Sequence, residues 1–228
     1  MADIRENIRI INERIAAAAE RSGRAAADVT LVGVTKTVDV GPMREMIACG
    51  VTDIGENRPQ EIVRKHPSFD NDNLKWHMIG NLQRNKVKYI IDKTALIHSV
   101  DSAGLAAEID RLSAKYAKLT DILIEINIAG EETKSGVAPA DCAELIKRAS
   151  DLPYICVRGL MTMAPFISDT DKLRNYFKRM YELFIDMRER CDNNGHIGVL
   201  SMGMTNDYEA AVEEGATMVR IGTGIFGQ

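Results

Sequence analysis

The chain has 228 residues, of which 45% are hydrophobic, and its 29 basic and 33 acidic side chains give a net charge of −4 at pH 7. This length allows one sizeable core and is close to that of a single α/β barrel. A slightly acidic chain lacks the broad basic face that nucleic-acid binding needs, so we expect no nucleic-acid partner. The short basic cluster at Arg84, Lys86 and Lys88 is interpreted as the solvated face of a helix.

The first residues predict an amphipathic helix rather than a secretory leader. Ile4, Ile8, Ile11 and Ile15 fall on one helical face, and Gly23 is a plausible stop. No apolar run reaches the roughly 18 residues of a membrane span, so we expect no membrane partner. The four cysteines and four histidines are scattered without metal or redox spacing. Free thiols of this kind fit a cytoplasmic location.

Eight apolar runs of strand length follow and alternate with segments of helical period. The predicted strands cover residues 29–35, 52–55, 75–79, 95–99, 121–128, 155–161, 197–202 and 216–221. The clearest predicted helices are 102–119, with Ser102 as N-cap, 169–190, and 206–214, which ends at Gly215. This alternation indicates βαβ units and a parallel sheet.

Eight such units predict an α/β fold in which residues 1–228 form a single (β/α)8 TIM barrel with an extra N-terminal helix. A doubly wound open sheet is the alternative, but it would normally use fewer strands, and no G-x-G-x-x-G follows the first one. Little sequence follows the eighth strand, so we expect no eighth outer helix there. The N-terminal helix is expected to fill the gap between strands eight and one.

The strand ends carry the candidate chemistry, since barrel sites lie at the carboxyl ends of the strands. Gly222, Thr223 and Gly224 form a small turn after strand eight, where backbone N–H groups can approach a phosphate. Ser201 and Gly203, at the end of strand seven, could form the other wall. Taken alone, G-T-G is also an ordinary turn.

Two cations stand out at the ends of strands one and eight. Lys36 follows the apolar run 31–34; such a lysine usually reaches water, but beside another cation its amine can form a Schiff base. Arg220 precedes the glycine turn and needs either a carboxylate such as Glu56 or Asp53, or a ligand. Barrel closure makes these strands neighbours. The three features together describe a pocket for pyridoxal 5′-phosphate (PLP), with the aldehyde at Lys36, the ring nitrogen at Arg220 and the phosphate at 222–224.

Six motifs make the chain similar to the pyridoxal phosphate homeostasis protein family, whose barrel is related to that of alanine racemase. They are LVGVTK (31–36), GENRPQE (55–61), WHMIGNLQRNK (76–86), NIAGEETKSG (127–136), GLMTM (159–163) and LSMGMTNDYEAAVEEGATMVRIGTGIFG (200–227). The resemblance implies a monomer that holds PLP on Lys36. It also implies that Asn57 and Ser201 line the pocket, with Arg220 at the ring nitrogen and Gly222 and Thr223 at the phosphate. The family usually has serine where this chain has Thr205, which keeps the hydroxyl.

The chemistry favours carriage of PLP over catalysis. An arginine at the ring nitrogen disfavours its protonation, which weakens PLP as an electron sink. Racemisation also needs two bases, and His77 beside Trp76 is more typical of a packed, hydrogen-bonded residue. We therefore expect no catalytic residues and a role in intracellular PLP homeostasis, buffering the cofactor and delivering it to apo PLP-dependent enzymes. Lys134 could assist exchange or could be an ordinary loop lysine.

Three other functions are compatible with the same residues. One is a low-activity PLP-dependent amino-acid racemase. Another is a Schiff-base aldolase that acts on a phosphosugar with the same lysine and turn. The third is a pure interaction protein.

Overall fold

Eight parallel strands close into one barrel in the order of the sequence. The computed structural model describes residues 3–69, 73–131, 134–165, 167, 169–191 and 196–227. The strands are β1 (Thr30–Val34), β2 (Asp53–Glu56), β3 (Lys75–Met78), β4 (Thr94–Val100), β5 (Thr120–Glu125), β6 (Ile155–Met161), β7 (Val199–Met204) and β8 (Met218–Ile221). All eight predicted strands are confirmed, and so is the predicted closed barrel, which rules out the alternative of an open sheet.

Helices alternate with these strands on the outside of the barrel. They are α1 (Ile4–Arg21), α2 (Val40–Ala48), α3 (Pro59–Lys65), α4 (Ala103–Lys115), α5 (Cys142–Ser150), α6 (Thr170–Cys191), α7 (Tyr208–Glu213) and α8 (Thr223–Phe226). Between β3 and β4 the basic cluster lies on a 3-10 helix, Arg84–Tyr89. No helix in the described part of the chain is long and apolar enough to cross a membrane.

Helix α4 ends earlier than its sequence period predicts. Ser102 caps it, accepting a hydrogen bond from the Leu105 N–H at 3.4 Å. The helix stops at Lys115 because Ala117 adopts a left-handed conformation with φ of 47°. Leu119, the last residue of the predicted helix, therefore lies outside it and is 59% exposed.

The N-terminal helix covers the seam where the barrel closes, as predicted. The isoleucine face of α1 is buried, and the helix packs against α7, α8 and α2. The Asn7 side-chain amide donates to the Ile225 carbonyl of α8 at 2.9 Å. After β8 the described residues form only the single turn of α8, which is followed by Gly227 in the left-handed region, and α1 packs against this turn.

The barrel interior changes from apolar to polar along the strands. An apolar cluster fills part of it and consists of Val32, Leu96, Leu123, Met161 and Met218. Side chains of a strand alternate between its two faces, so residues two positions further along share the interior. His98, Glu125 and Arg220 occupy those positions, and each is buried. The strands therefore place a polar layer beneath their carboxyl ends.

Candidate functional site

Lys36 lies two residues beyond β1 and is exposed. Barrel closure places this end of β1 beside β8, with Val32 opposite Arg220 and Gly33 opposite Ile221. The next residue, Thr37, has φ of 62°, so the chain turns sharply after the lysine. The predicted neighbourhood of strands one and eight is confirmed.

A buried charged cluster anchors the residue before Lys36. The Lys65 side chain is fully buried and donates from Nζ to the Thr35 carbonyl at 2.7 Å and to Glu56 Oε1 at 2.6 Å. The Thr35 hydroxyl donates to the same carboxylate oxygen at 2.6 Å. Three elements, β1, β2 and α3, are thereby tied together at the base of the lysine. Sequence reasoning missed Lys65, since a lysine on a short helix normally faces solvent.

Arg220 is 3% exposed and is held by β6 and β7. Its Nη1 donates to Ser201 Oγ at 2.6 Å, and its Nη2 donates to the Thr162 carbonyl at 2.9 Å. Burial lowers the pKa of Arg220 to about 10, opposed by the charges of Asp207 and Glu125, so the guanidinium stays charged at neutral pH. The structure thus brings together Ser201 and Arg220, two of the predicted site residues.

The predicted carboxylate partners of Arg220 are wrong. Glu56 binds Lys65 instead. Asp53 on β2 and Arg220 on β8 lie on the two strands that flank β1. Both are in register with the buried Val32 of β1, which therefore separates them. Asp53 accepts a hydrogen bond from His77, with Oδ1 and Nε2 3.0 Å apart. The packed, hydrogen-bonded role predicted for His77 is confirmed.

Glu125 at the end of β5 is an acid that the sequence did not single out. It is 4% exposed, and no described residue donates a hydrogen bond to its Oε2. Burial and the charge of Asp101 raise the pKa of Glu125 to about 7, with Arg220 opposing them. The group is therefore partly protonated at neutral pH. Glu125 lies two residues beyond the interior Leu123, and this spacing in the sequence could have predicted that its side chain faces the barrel interior.

Gly222 and Thr223 lie where β8 passes into α8. A Cβ at Gly222 would approach the Val34 carbonyl oxygen to 3.1 Å, so this glycine lets the ends of β1 and β8 come close. The Gly224 N–H donates to the Thr205 hydroxyl at 3.2 Å, which shows what the hydroxyl at position 205 does. Thr223 is exposed at the start of the helix. The predicted bare turn is thus the N-terminal end of a one-turn helix.

Asn57 follows β2 and is half-buried. Its backbone presses on Gly80 after β3, where an added Cβ would lie 2.3 Å from the Asn57 carbonyl oxygen. Asn57 lines a cavity of about 460 Å³ with Arg58, Asn81 and Lys86.

The loop after β5 carries Lys134, which forms an ion pair with Glu131 at 2.8 Å. At the ends of β6 and β7, Met161 and Met202 are buried, whereas Met163 and Met204 are exposed.

The described residues hold no group of three or more histidines, cysteines or acids that could bind a metal ion. A larger cavity, about 660 Å³, lies at the starts of β5, β6 and β7, away from the polar layer. The carboxyl ends of the strands therefore remain the candidate site, with an exposed amine, a buried guanidinium and a glycine-containing helix start on adjoining strands.

The fold and this site define a barrel of the alanine racemase type. The family model described as alanine racemase, N-terminal domain, matches residues 2–228. A crystal structure of an unknown protein from Bifidobacterium adolescentis has a TM-score of 0.91 and 35% identity, covering 99% of this chain and 97% of that chain.

Curated relatives narrow this class. A pyridoxal phosphate homeostasis protein of Aquifex aeolicus (strain VF5) is 44% identical, covering 98% of this chain and 97% of that protein. PipY of Synechococcus elongatus PCC7942, solved with PLP bound, has a TM-score of 0.83 and 32% identity, covering 95% of this chain and 100% of that chain. The chain belongs to the pyridoxal phosphate homeostasis protein family, as its motifs predicted.

Proposed function

We propose that this protein binds PLP through a Schiff base on Lys36 and acts in intracellular PLP homeostasis. The observation that carries the proposal is the juxtaposition of β1 and β8, which pairs Val32 with Arg220 and brings Val34, two residues before Lys36, against Gly222. The relatives named for PLP homeostasis and the PLP-bound PipY structure support the choice of ligand.

The residues present fit this group. PLP supplies an aldehyde that reacts with amines and an electron-withdrawing ring. Arg220, supported by Ser201, would face the ring nitrogen, and Gly222 and Thr223 at the start of α8 would bind the phosphate. Asn57 would line the pocket from the side of β2. Because Gly222 has no side chain and lies tightly against Val34, its backbone would face the ligand.

Linkage to Lys36 is a balanced condensation. The Lys36 ammonium would lose one proton, and its neutral amine would add to the aldehyde carbon; when the C=N bond forms, the two remaining N–H hydrogens would leave with the aldehyde oxygen as water. Addition of water reverses the step and returns free amine and aldehyde. Lys36 is exposed, so water can reach its linkage. A reversible linkage of this kind suits storage and release of a reactive aldehyde.

The surroundings of the site favour carriage over robust catalysis. A guanidinium at the ring nitrogen opposes protonation of the ring, which weakens its capacity to stabilise a carbanion. His77, the nearest candidate for a second base, is 2% exposed and is hydrogen-bonded to Asp53 and His98. We therefore favour buffering and delivery, with a low-activity amino-acid racemase as the alternative because the family model is that of alanine racemase.

Apo PLP-dependent enzymes are the proposed recipients of the cofactor, and we propose a cytoplasmic monomer as the acting form. The four thiols, at Cys49, Cys142, Cys156 and Cys191, are all free, which fits a reducing compartment. Lys134, paired with Glu131, is proposed to assist exchange by competing for the aldehyde.

Borohydride trapping tests the proposal. Purified protein mixed with PLP should absorb near the visible edge, and reduction should fix the cofactor on the peptide that contains Lys36. Lys36→Ala should abolish the band and the adduct, whereas the matched variant Lys88→Ala, an exposed lysine on the 3-10 helix, should retain both. A colourless wild-type protein, or an adduct on another lysine, would overturn the proposal. An enzyme-like rate of alanine racemisation would favour the alternative.

A further inference from the structure

One line of hydrogen bonds crosses the barrel interior and ends at Arg220. It joins Asp53 of β2, His77 of β3, His98 of β4, Ser201 of β7 and Arg220 of β8. The successive distances are 3.0, 2.8, 3.1 and 2.6 Å. All five residues are buried. We call this set the Asp53–Arg220 line.

The Arg220 end fixes the direction of the first bonds. A guanidinium can only donate, so Ser201 Oγ accepts from it. The serine then has one hydrogen left, and His98 Nδ1 lies 3.1 Å away. Burial, with the nearby charge of Arg220, lowers the pKa of His98 well below its usual value, so this ring is neutral. A neutral ring has one N–H and one acceptor nitrogen.

The Asp53 end fixes the direction of the last bond. Burial alone would raise the pKa of Asp53, but the hydrogen bond from His77, the charge of Lys75 and the hydrogen bond from Thr52 outweigh it and hold the pKa below the usual range. An ionised carboxylate only accepts, so His77 Nε2 carries a hydrogen and donates to it. If His77 is also neutral, its Nδ1 accepts from His98 Nε2–H, and His98 Nδ1 accepts from the Ser201 hydroxyl.

We propose that Asp53, His77 and His98 are positioning residues that lock both imidazoles as Nε2–H tautomers and orient the Ser201 hydroxyl away from the mouth of the site. Every donor in the line then has one acceptor. One cation and one anion occupy its two ends, which is the least costly way to bury this set of groups.

The consequence concerns Arg220 and rests on the proposed function. Ser201 accepts from Arg220 while its own hydrogen is used by His98, so the serine presents no donor toward the ring of PLP. The guanidinium is then the donor that the line supplies at the ring nitrogen, held by two strands in one orientation. Asp53 would influence PLP binding although it lies on β2 and does not contact Arg220.

The hydrogen bonds between His77, His98 and Ser201 would run in the opposite direction if His77 bound one additional proton. If His77 carried two hydrogens, its Nδ1–H would donate to His98 Nε2, and His98 Nδ1–H would donate to Ser201. The serine hydrogen would then be free to face the ligand. The two arrangements differ in which nitrogen of His98 is protonated, which is directly measurable.

Long-range ¹H–¹⁵N NMR of the histidine side chains in ligand-free, full-length protein tests the proposal. At pH 7 both His77 and His98 should give the pattern of a neutral Nε2–H tautomer. Asp53→Asn should shift population toward Nδ1–H, because an amide can donate to His77 Nε2. Asp121→Asn, at the start of β5 and paired only loosely with Arg158 at 3.7 Å, should leave the tautomers unchanged. An Nδ1–H signal from native His98, or an unaltered spectrum for Asp53→Asn, would overturn the proposal.

A PLP titration separates this proposal from the proposed function. If the line positions Arg220, Asp53→Asn should raise the Kd for PLP about tenfold relative to Asp121→Asn, because a reversed bond between His98 and Ser201 would shift the serine to which Arg220 donates. Equal affinities for the two variants would contradict the positioning role. Absence of PLP binding by the wild type would instead defeat the proposed function, and the tautomers would still report on the line. If Asp53→Asn does not fold, the tautomers of the native protein alone decide.

Discussion

At the scale of residues, the site rests on charged side chains buried below its opening. Lys65 and Glu56 are both fully buried and are bonded to each other and to Thr35, the residue before Lys36. Removing one member of such a pair strands the other charge, which typically costs about 3–5 kcal/mol. The pair therefore holds the segment that presents Lys36.

Glu125 gives a prediction about stability and pH. Its pKa is about 7 in the folded protein, against a usual value of 4.5. The folded state therefore binds a proton more tightly than the unfolded state. This contribution to stability is complete below pH 4.5 and is lost as pH rises toward 7. Glu125→Gln should remove the loss, which is on the order of 2–3 kcal/mol.

Urea unfolding at pH 5 and pH 8 measures this effect. The difference in unfolding free energy between the two pH values should be smaller for Glu125→Gln than for the wild type. Glu144→Gln, an exposed glutamate on α5, should behave as the wild type does. Equal pH dependence in all three proteins would show that Glu125 is not protonated in the folded state.

At the scale of elements, the junction of β8 with α8 and its contact with β1 define the mouth of the site. Gly222 lies against Val34, and the Gly224 N–H is bound by the Thr205 hydroxyl. Helix α1 supports this junction through the bond from Asn7 to the Ile225 carbonyl. The N-terminal helix thus stabilises the segment proposed to bind phosphate, although it lies outside the barrel.

Gly222→Ala tests this junction. The added methyl would lie 3.1 Å from the Val34 carbonyl oxygen, so β1 and β8 must separate slightly. We expect a loss of about 1 kcal/mol in unfolding free energy and weaker PLP binding. Gly198→Ala is the matched control, because a Cβ there meets nothing within 4 Å. Equal effects of the two substitutions on stability and on PLP affinity would contradict the role given to Gly222.

The hydrophobic periodicity of the sequence predicted the strands and helices. It predicted candidate site residues only where they lie on neighbouring strands. Alternating apolar and helical periods identified all eight strands, and closure of the barrel pairs the strand that precedes Lys36 with the strand that contains Arg220. The Asp53–Arg220 line could not be predicted in this way, because it depends on contacts such as that of His98 with Ser201, 103 residues apart. Lys65 was missed because its burial depends on the Glu56 carboxylate and the Thr35 carbonyl, which other elements contribute, as well as on Glu61 of its own helix.

The sequence pattern also did not predict the irregular pairing of β5 with β6. Gly159 on β6 has φ of 151°, and a Cβ there would overlap the Val199 carbonyl oxygen at 1.8 Å. The register between β5 and β6 shifts at this point, which is a β-bulge. A glycine inside an apolar strand suggests such a bulge, but its effect on register depends on both neighbouring strands.

At the scale of the whole molecule, the closed barrel turns distant segments of the chain into one site. Residue 36 and residues 220–223 are far apart in sequence, and pairing of β1 with β8 brings their strands into contact. The polar interior layer beneath them then supplies a fixed cation. We propose that these segments bind a single PLP molecule between them.

A crystal structure of the protein soaked with PLP tests that claim most directly. We predict continuous density from Lys36 Nζ to the cofactor, with the phosphate at Gly222 and Thr223 and the ring nitrogen at Arg220. Density for PLP at another lysine, or on Lys36 with the phosphate directed away from the β8–α8 junction, would show that these segments do not form one PLP site.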